Sequence, residues 1–531
     1  MSTLDWWRTG AIYQVYIRSF ADANGDGTGD VDGLRSRLPY LADLGIDAVW
    51  VNPWFPSPLL DGGYDVADYR DIHPDFGTLA DAEVLIDEAH AHGIKILVDL
   101  VPNHCSWDHR WFKAALDATP GSPERARFHF VDSDDVPNNW KSVFGGSAWT
   151  QIDDGQWYLH LFDPSQPDLN WTNPEVREEF VSILRFWLDR GADGFRVDVA
   201  HGLAKDMSYP QLEDHVQILS SAKQPNHAHW DRDEVHEIIR EWRAVLDEYD
   251  DRMMVAEAWV AAESLPKYLR PDEYHQSFSF GLLMTPWDAA AYQASIAEVY
   301  DEAAELGAAS TWVLSNHDVM RHATRFGLPA EASWRTWPVT GPAAALDVDL
   351  GQRRARAAAL ITLGLPGSSY VYQGEELGLP EVWDLPWEVL DDPVARRSEG
   401  TQKGRDGCRV PLPWTTEGSS YGFGSNGAWM PQPDHWADYA ADRQIGVDGS
   451  FHSLYRDALR IRREHFIDDA EMSWIDMGEG VLAYERASGV RCVANMGADP
   501  VPMPAGEILL ASQTDLTDEL PSDTAVWLRP A

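Results

Sequence analysis

The sequence predicts an α/β protein built on a (β/α)8 TIM barrel, with an inserted subdomain after the third strand and a C-terminal all-β domain. Three observations carry this: short apolar runs that alternate with amphipathic helical stretches, one long break in that alternation, and a change to short turn-separated strands near the end. Eight runs read as barrel strands: Ile12–Phe20, Ile46–Pro53, Ile94–Pro102, Gly194–Val199, Met253–Trp259, Ser277–Phe280, Thr311–Ser315 and Ser369–Tyr372. Near-continuous apolar runs such as Ile94-Lys95-Ile96-Leu97-Val98 suit strands covered on both faces.

The clearest helix runs from Pro174 to Arg190. Asn173 is placed to cap it, Pro174 holds the first position and Gly191 ends it. Val176, Phe180, Ile183, Leu184, Trp187 and Leu188 fall on one stripe, and Val235, Ile238, Ile239, Trp242, Val245 and Leu246 form a second. From Cys105 to Thr172 the alternation stops, over a stretch too long for a structureless loop, which predicts a subdomain at the C-terminal end of the third strand. Pro380–Trp436, dense in Trp, Pro and Gly, is a further cover for that rim. After Leu454–Arg463, the runs Val481–Glu485, Arg491–Asn495, Ile508–Ala511 and Ala525–Leu528 read as β strands. The expected divisions are a barrel of residues 1–104 and 173–466, an insert of 105–172 and a β domain of 467–531.

The 531 residues include 42 basic and 86 acidic side chains, for a net charge of −44. That surface repels phosphate backbones and anionic lipid, which argues against nucleic-acid and membrane partners and fits a small neutral substrate or a salt-adapted host. Three scattered cysteines, Cys105, Cys408 and Cys492, fit neither a disulfide framework nor a metal motif. With no apolar leader over Met1–Gly10 and no run long enough to span a bilayer, the expected location is cytoplasmic. Many of the 25 tryptophans suit core packing, and the rest suit platforms for sugar rings.

Three acidic residues end candidate strands: Asp198 in Gly194-Phe195-Arg196-Val197-Asp198, Glu257 after Val255-Ala256, and Asp318 after Asn316-His317. A carboxylate at the end of an apolar strand is expensive to bury without a partner or a role. One alone reads equally as an ion pair or cap. Three at the same barrel end, beside Arg196 and His317, read as catalysis. Glycosidic hydrolysis needs two carboxyls flanking the bond, about 5–5.5 Å apart in the retaining geometry. Arg196, two residues before Asp198, can hold a nucleophile's charge, and surroundings near Trp259 suit a proton donor. Asp318 fits a third role, gripping hydroxyls as the ring flattens. His104 and His317 sit on the same rim as donors to sugar.

The segments Asp99–His104, Gly194–Asp198, Glu257 and Asn316–Asp318 resemble the four ordered regions of the α-amylase family, glycoside hydrolase family thirteen, over nearly the whole chain. The resemblance implies Asp198 as nucleophile, Glu257 as general acid/base, Asp318 as transition-state stabiliser, and Arg196, His104 and His317 as sugar ligands. Gln166-Pro167-Asp168-Leu169-Asn170 resembles the fifth region of the oligo-1,6-glucosidase branch. Asp61 and Tyr64 are similar to the pair that holds and stacks on a terminal glucose. Arg405–Pro411 is similar to a segment whose second arginine, here Arg409, pairs with that aspartate. An Asp61–Arg409 pair closing the pocket floor implies exo-action on α-1,6- and/or α-1,4-linked glucose of short oligosaccharides. Phe144 and Phe162 are similar to aromatics beside the cleavage point, with core packing as the alternative. Val199, after the nucleophile, is the branch's choice where α-1,6 bonds are cut; Thr or Ala stands there where α-1,4 bonds are preferred.

Asp22-Ala23-Asn24-Gly25-Asp26-Gly27-Thr28-Gly29-Asp30 presents oxygen ligands at alternate positions. It opens like an EF-hand but carries Gly33 where the bidentate Glu belongs. The resemblance implies a structural Ca²⁺ (or Mg²⁺) on Asp22, Asn24, Asp26 and Asp30 side chains and the Thr28 carbonyl. The rival readings are a glucosyl-transferring or isomerising relative, such as trehalose synthase or sucrose isomerase, and a non-catalytic subunit. Val319-Met320-Arg321-His322 lacks the arginine-rich loop of sucrose isomerases, and the retained carboxylates oppose the second. A monomer or homodimer is expected.

Overall fold

The computed structural model describes residues 5–213, 225–261, 263–466 and 470–530. In chain order the strands are β1 (Ala11–Val15), β2 (Ala48–Val51), β3 (Lys95–Leu100), β4 (Phe130–Asp132), β5 (Trp149–Gln151), β6 (Gln156–Leu159), β7 (Gly194–Val197), β8 (Met253–Ala256), β9 (Gln276–Ser277), β10 (Thr311–Val313) and β11 (Ser368–Tyr372). The tail adds β12 (Met472–Trp474), β13 (Val481–Arg486), β14 (Arg491–Asn495), β15 (Val501–Pro502), β16 (Glu507–Ala511), β17 (Glu519–Leu520) and β18 (Thr524–Arg529).

Eight parallel strands form one sheet in the order β10-β11-β1-β2-β3-β7-β8-β9, a nearly closed barrel. Every predicted barrel strand is present, though most end earlier than the apolar runs do. β1 stops at Val15 because Ile17–Ser19 tightens into a 3-10 turn. β9 has two residues because Phe280–Met284 coils into a helix, so Phe280 is not a strand residue. The seam between β9 and β10 is joined by a side chain: Thr311 Oγ1 donates to the Ser277 carbonyl at 2.6 Å and accepts from the Ser279 amide at 3.2 Å.

Helices wrap the barrel: α1 (Leu79–Ala91), α2 (Pro174–Leu188), α3 (Val235–Leu246), α4 (Ala289–Leu306), α5 (Val348–Gly364) and α6 (Phe451–His465). The sequence logic of α2 holds locally. Asn173 accepts from the Glu175 amide, Pro174 opens the helix, and Val176, Phe180, Ile183, Leu184, Trp187 and Leu188 are buried. α3 buries its predicted stripe in the same way.

Between β3 and α2, strands β4, β6 and β5 make a small antiparallel sheet. Its two ends meet at the rim, where His104 bridges Asp168 and the Cys105 amide donates to the Pro167 carbonyl at 3.2 Å. The tail folds as an antiparallel sheet ordered β12-β13-β14-β18-β16, beside the β15–β17 pair. All four predicted tail strands lie in it. It docks on α5, with Tyr484 donating to the Ile361 carbonyl (2.6 Å) and Trp527 Nε1 to the Leu360 carbonyl (2.9 Å). A Cβ at Gly364 would stand 2.3 Å from the Tyr484 hydroxyl, so this close approach requires glycine. The boundary expected at 467 falls within 467–469, outside the described residues. Among the described residues, no helix is long and apolar enough to cross a membrane.

Candidate active site

Barrel strands deliver their last side chains to one end, and Arg196 on β7 organises what arrives there. It is buried, with Nη1 2.9 Å from Asp99 Oδ1 and 2.6 Å from Asp198 Oδ1, and Nη2 3.0 Å from Glu257 Oε2. Three carboxylates from three neighbouring strand ends thus share one guanidinium, which offsets part of the cost of burying them. Asp99 is fixed further by Tyr64 (2.9 Å) and Trp50 Nε1 (3.0 Å). Burial pushes the Asp198 carboxyl well above the usual range, Arg196 opposes this, and Glu257, a hydrogen-bond neighbour, adds to the rise.

Glu257 is held from both sides. Its Oε2 also accepts from the Val199 amide at 3.0 Å, and its Oε1 accepts from Trp259 Nε1 at 3.2 Å. Val199 reaches it from a backbone φ of 45°, a conformation that a β-branched residue adopts only under strain. Its side chain is buried in a cluster with Trp140, Phe144, Phe162 and Trp230.

Asp318, on the loop after β10, lies 3.3 Å from His317 Nε2, 2.9 Å from Arg405 Nη1 and 3.1 Å from Arg409 Nη2. Burial works to raise its carboxyl, but His317, Arg405 and Arg409 outweigh it and hold Asp318 far below the usual range. Asp318 is thereby held as a carboxylate. His317 Nδ1 accepts from Gln14 Nε2 (2.7 Å), and its ring stacks on Tyr64 with centroids 5.1 Å apart. His104 meets the Tyr64 carbonyl (3.1 Å) and Gln166 (3.2 Å); burial lowers it to about 4, so it is neutral.

One expected pair is corrected. Asp61 pairs with Arg405, at 2.6 Å, and not with Arg409. The intervening turn Asp406–Cys408 sets the two guanidinia on the same side at different depths. Arg405 spans Asp61, Asp318 and Asp392 (2.5 Å), while Arg409 lies beneath, on Asp318, Asp392 (3.6 Å) and the His317 carbonyl (2.8 Å). Gln166 Nε2 completes the floor by donating to Asp61 Oδ2 at 3.0 Å.

Above this floor a cavity of about 330 Å³ opens. Glu257 and Asp318 reach it, with Phe144, Trp259, Trp334 and Arg335 among its walls. Phe162 stands behind, 5.8 Å from Phe144 and 4.8 Å from His104 between ring centroids. Sequence reading missed Arg405, Asp392 and Lys205 as site-building residues. Lys205 is fully buried, with its ammonium 2.8 Å from Asp168 and 2.6 Å from both Asn103 Oδ1 and the Gly202 carbonyl. Its one legible signal is a lysine directly after the apolar run Gly202-Leu203-Ala204.

The loop Asp22–Asp30 offers oxygen donors only, the chemistry that suits Ca²⁺ or Mg²⁺. In the fold each side chain already accepts backbone amides: Asp22 from Gly25 and Gly27, Asn24 from Asp26, Asp26 from Thr28, and Asp30 from Ala23, Asn24 and Gly33. Among the described residues, no three His, Cys, Asp or Glu side chains gather closely enough for a metal.

Residues 14–469 match the family model for the α-amylase catalytic domain. The chain belongs to the α-amylase family and is a glycoside hydrolase. It is 36% identical over 518 residues to a probable α-glucosidase of Rhizobium meliloti (strain 1021), covering 93% of this chain and 89% of that one. It is 33% identical over 502 residues to an oligo-1,6-glucosidase of Parageobacillus thermoglucosidasius, covering 87% and 84%. The solved structure of an α-glucosyl transfer enzyme superposes with a TM-score of 0.85 at 33% identity, covering 99% and 100%.

Proposed function

We propose that the protein is an exo-acting, retaining α-glucosidase that removes terminal α-1,6- and/or α-1,4-linked glucose from short oligosaccharides. The observation that carries this is the pairing of Asp198 and Glu257 on one guanidinium, above a floor closed by Asp61, Arg405 and Asp318. Carboxyls from neighbouring strand ends that share one guanidinium suit the retaining mechanism, in which one attacks and the other protonates the leaving oxygen.

In this mechanism Asp198 attacks the anomeric carbon while Glu257 protonates the departing oxygen. Oε2 of Glu257 already accepts two N–H groups, from Arg196 and Val199, so the transferable proton sits on Oε1. After the aglycone leaves, Glu257 takes a proton from water, which attacks the glucosyl ester and releases α-glucose. Asp318, kept ionised by its arginines, binds hydroxyls of the flattening ring. Val199 favours the α-1,6 linkage.

A second reading has support in the likeness to the α-glucosyl transfer enzyme: a sugar instead of water intercepts the same intermediate. Incubation with maltose, isomaltose, sucrose and trehalose, followed by proton NMR, separates the possibilities. Glucose released first as the α anomer is expected. Glucose released first as β overturns retention, and trehalose or a sucrose isomer outweighing free glucose overturns hydrolysis.

The same proposal places a structural Ca²⁺ or Mg²⁺ on the Asp22–Asp30 loop, since a carboxylate that accepts an amide retains lone pairs for a cation. It also places the enzyme in the cytoplasm as a monomer or homodimer, a setting that the three buried, unbridged cysteines support.

A further inference from the structure

Three arginines border the mouth of the catalytic cavity, and they differ in how fully carboxylates neutralise them. Arg335, Arg397 and Arg405 all line it, together with Ser398, Thr401 and Gln402. Arg405 is matched by Asp61, Asp318 and Asp392 and has no charge to spare. Arg335 is different. Among the described residues its one interaction is with the ring of Trp334, whose centroid lies 5.0 Å from the guanidinium carbon. Arg397 donates to the Gly145 carbonyl at 2.6 Å and stands 3.5 Å from Asp163, while its buried Nε finds no hydrogen-bond partner among the described residues.

Both guanidinia border the cavity. Trp334 packs against the cluster of Phe278, Phe280 and Val319, and Arg397 ends the short helix Pro393–Arg397. In a chain of net charge −44 an arginine has abundant carboxylates to pair with, yet among the described residues Arg335 pairs with none and Arg397 reaches Asp163 only at 3.5 Å. A guanidinium offers a planar fork of donors that matches a carboxylate or phosphate, and partial burial strengthens that contact.

We propose that the leaving-group side of this cavity binds an oxyanion, so that the preferred substrates are α-glucosides whose aglycone carries a carboxylate or a phosphate-like group. This rests on the glucosidase reading above and narrows its substrate class. Arg335 and Arg397 hold the oxyanion, and the glucose lies deeper, against Asp198.

The test uses three aryl glucosides of one size on the full chain: 4-carbamoylphenyl, 4-carboxyphenyl and 4-phosphonophenyl α-D-glucopyranoside. At low ionic strength, kcat/KM for at least one anionic substrate should exceed that of the neutral amide by about tenfold, and the ratio should fall towards one as salt is added. Arg335→Gln should lower that ratio by about tenfold, with Arg397→Gln as an independent second variant. A ratio is insensitive to how much of a variant is folded. Hydrolysis of the amide with no preference for either anion overturns the inference and leaves the glucosidase reading standing. Failure to hydrolyse all three overturns that reading itself. A preference that survives both substitutions also overturns the assignment to these arginines.

Discussion

The amide of Val199 donates to Glu257 Oε2 at 3.0 Å, and it does so from a left-handed backbone at φ 45°. A strained residue directly after the proposed nucleophile therefore orients the proposed acid/base, which couples Asp198 and Glu257 through one peptide. For L-residues with a Cβ, that conformation costs about 1–2 kcal/mol, a cost that glycine escapes. Val199→Gly should accordingly melt at or above Val199→Ala, the reverse of the usual order of Ala and Gly, as read by differential scanning calorimetry. Val199→Thr should move the ratio of isomaltose to maltose turnover towards maltose by roughly tenfold or less, since the change is of methyl scale.

Removal of either reacting group should collapse turnover. Asp198→Asn and Glu257→Gln are each expected to lower kcat by about 10²–10⁴-fold or more, while both variants stay folded by circular dichroism. With an aryl glucoside whose phenol leaves without protonation, Glu257→Gln should lose far less in the first step than Asp198→Asn does. Stopped-flow release of the phenol measures this.

Arg405 bridges Asp61, Asp318 and Asp392 from one side chain, so its loss strands three carboxylates. Arg405→Ala should cost about 3–5 kcal/mol of stability, the range for breaking a buried ion pair, and abolish measurable activity. Arg409→Ala leaves the Asp61 pair intact and should preserve more substrate affinity than Arg405→Ala. Urea unfolding and KM for maltose separate the two.

Glu375 gives a pH signature. It is fully buried, and desolvation pushes it to about 8, against hydrogen bonds from the Tyr372 amide and the Tyr455 hydroxyl. Its native carboxyl keeps a proton that the unfolded chain has already released, so stability falls as pH rises from the ordinary glutamate range through about 8. Asp65 and Glu381, each raised to about 7 by burial, act in the same direction. The buried His104, lowered to about 4, acts oppositely but only below about pH 6.5, where the unfolded histidine takes up its proton. The melting temperature should therefore decline between pH 6.5 and 8.5, and Glu375→Gln should remove about 2 kcal/mol of that decline.

The proposed cation loop predicts that a chelator lowers the melting temperature by several degrees with little direct effect on turnover at 25 °C. Asp22→Asn with Asp30→Asn should remove that response. An unchanged melting curve in chelator refutes the site.

Much of this architecture was legible because barrel physics is repetitive. Buried parallel strands must be apolar, so a carboxylate at a strand's end stands out, and Asp198, Glu257 and Asp318 did. What the sequence could not resolve was depth. Arg405 and Arg409 are four residues apart on one turn, and only the packing of that turn decides which of them reaches Asp61. Lys205 was hidden for a related reason. A lysine in a loop reads as solvated, and its burial depends on Asp168 arriving from the far end of the insert. The short strands β12, β15 and β17 escaped because two or three residues carry no period, and β15 contains a proline.

The closed floor has a consequence for the order of events. A floor sealed by Asp61, Arg405 and Gln166 sets an order: what lies nearest the mouth leaves first. On the proposed mechanism the aglycone, nearest the mouth, departs before water can reach the ester, and glucose, seated against Asp61 and Arg405, exits only afterwards. Released glucose that drifts back in takes the innermost seat and bars the next substrate outright.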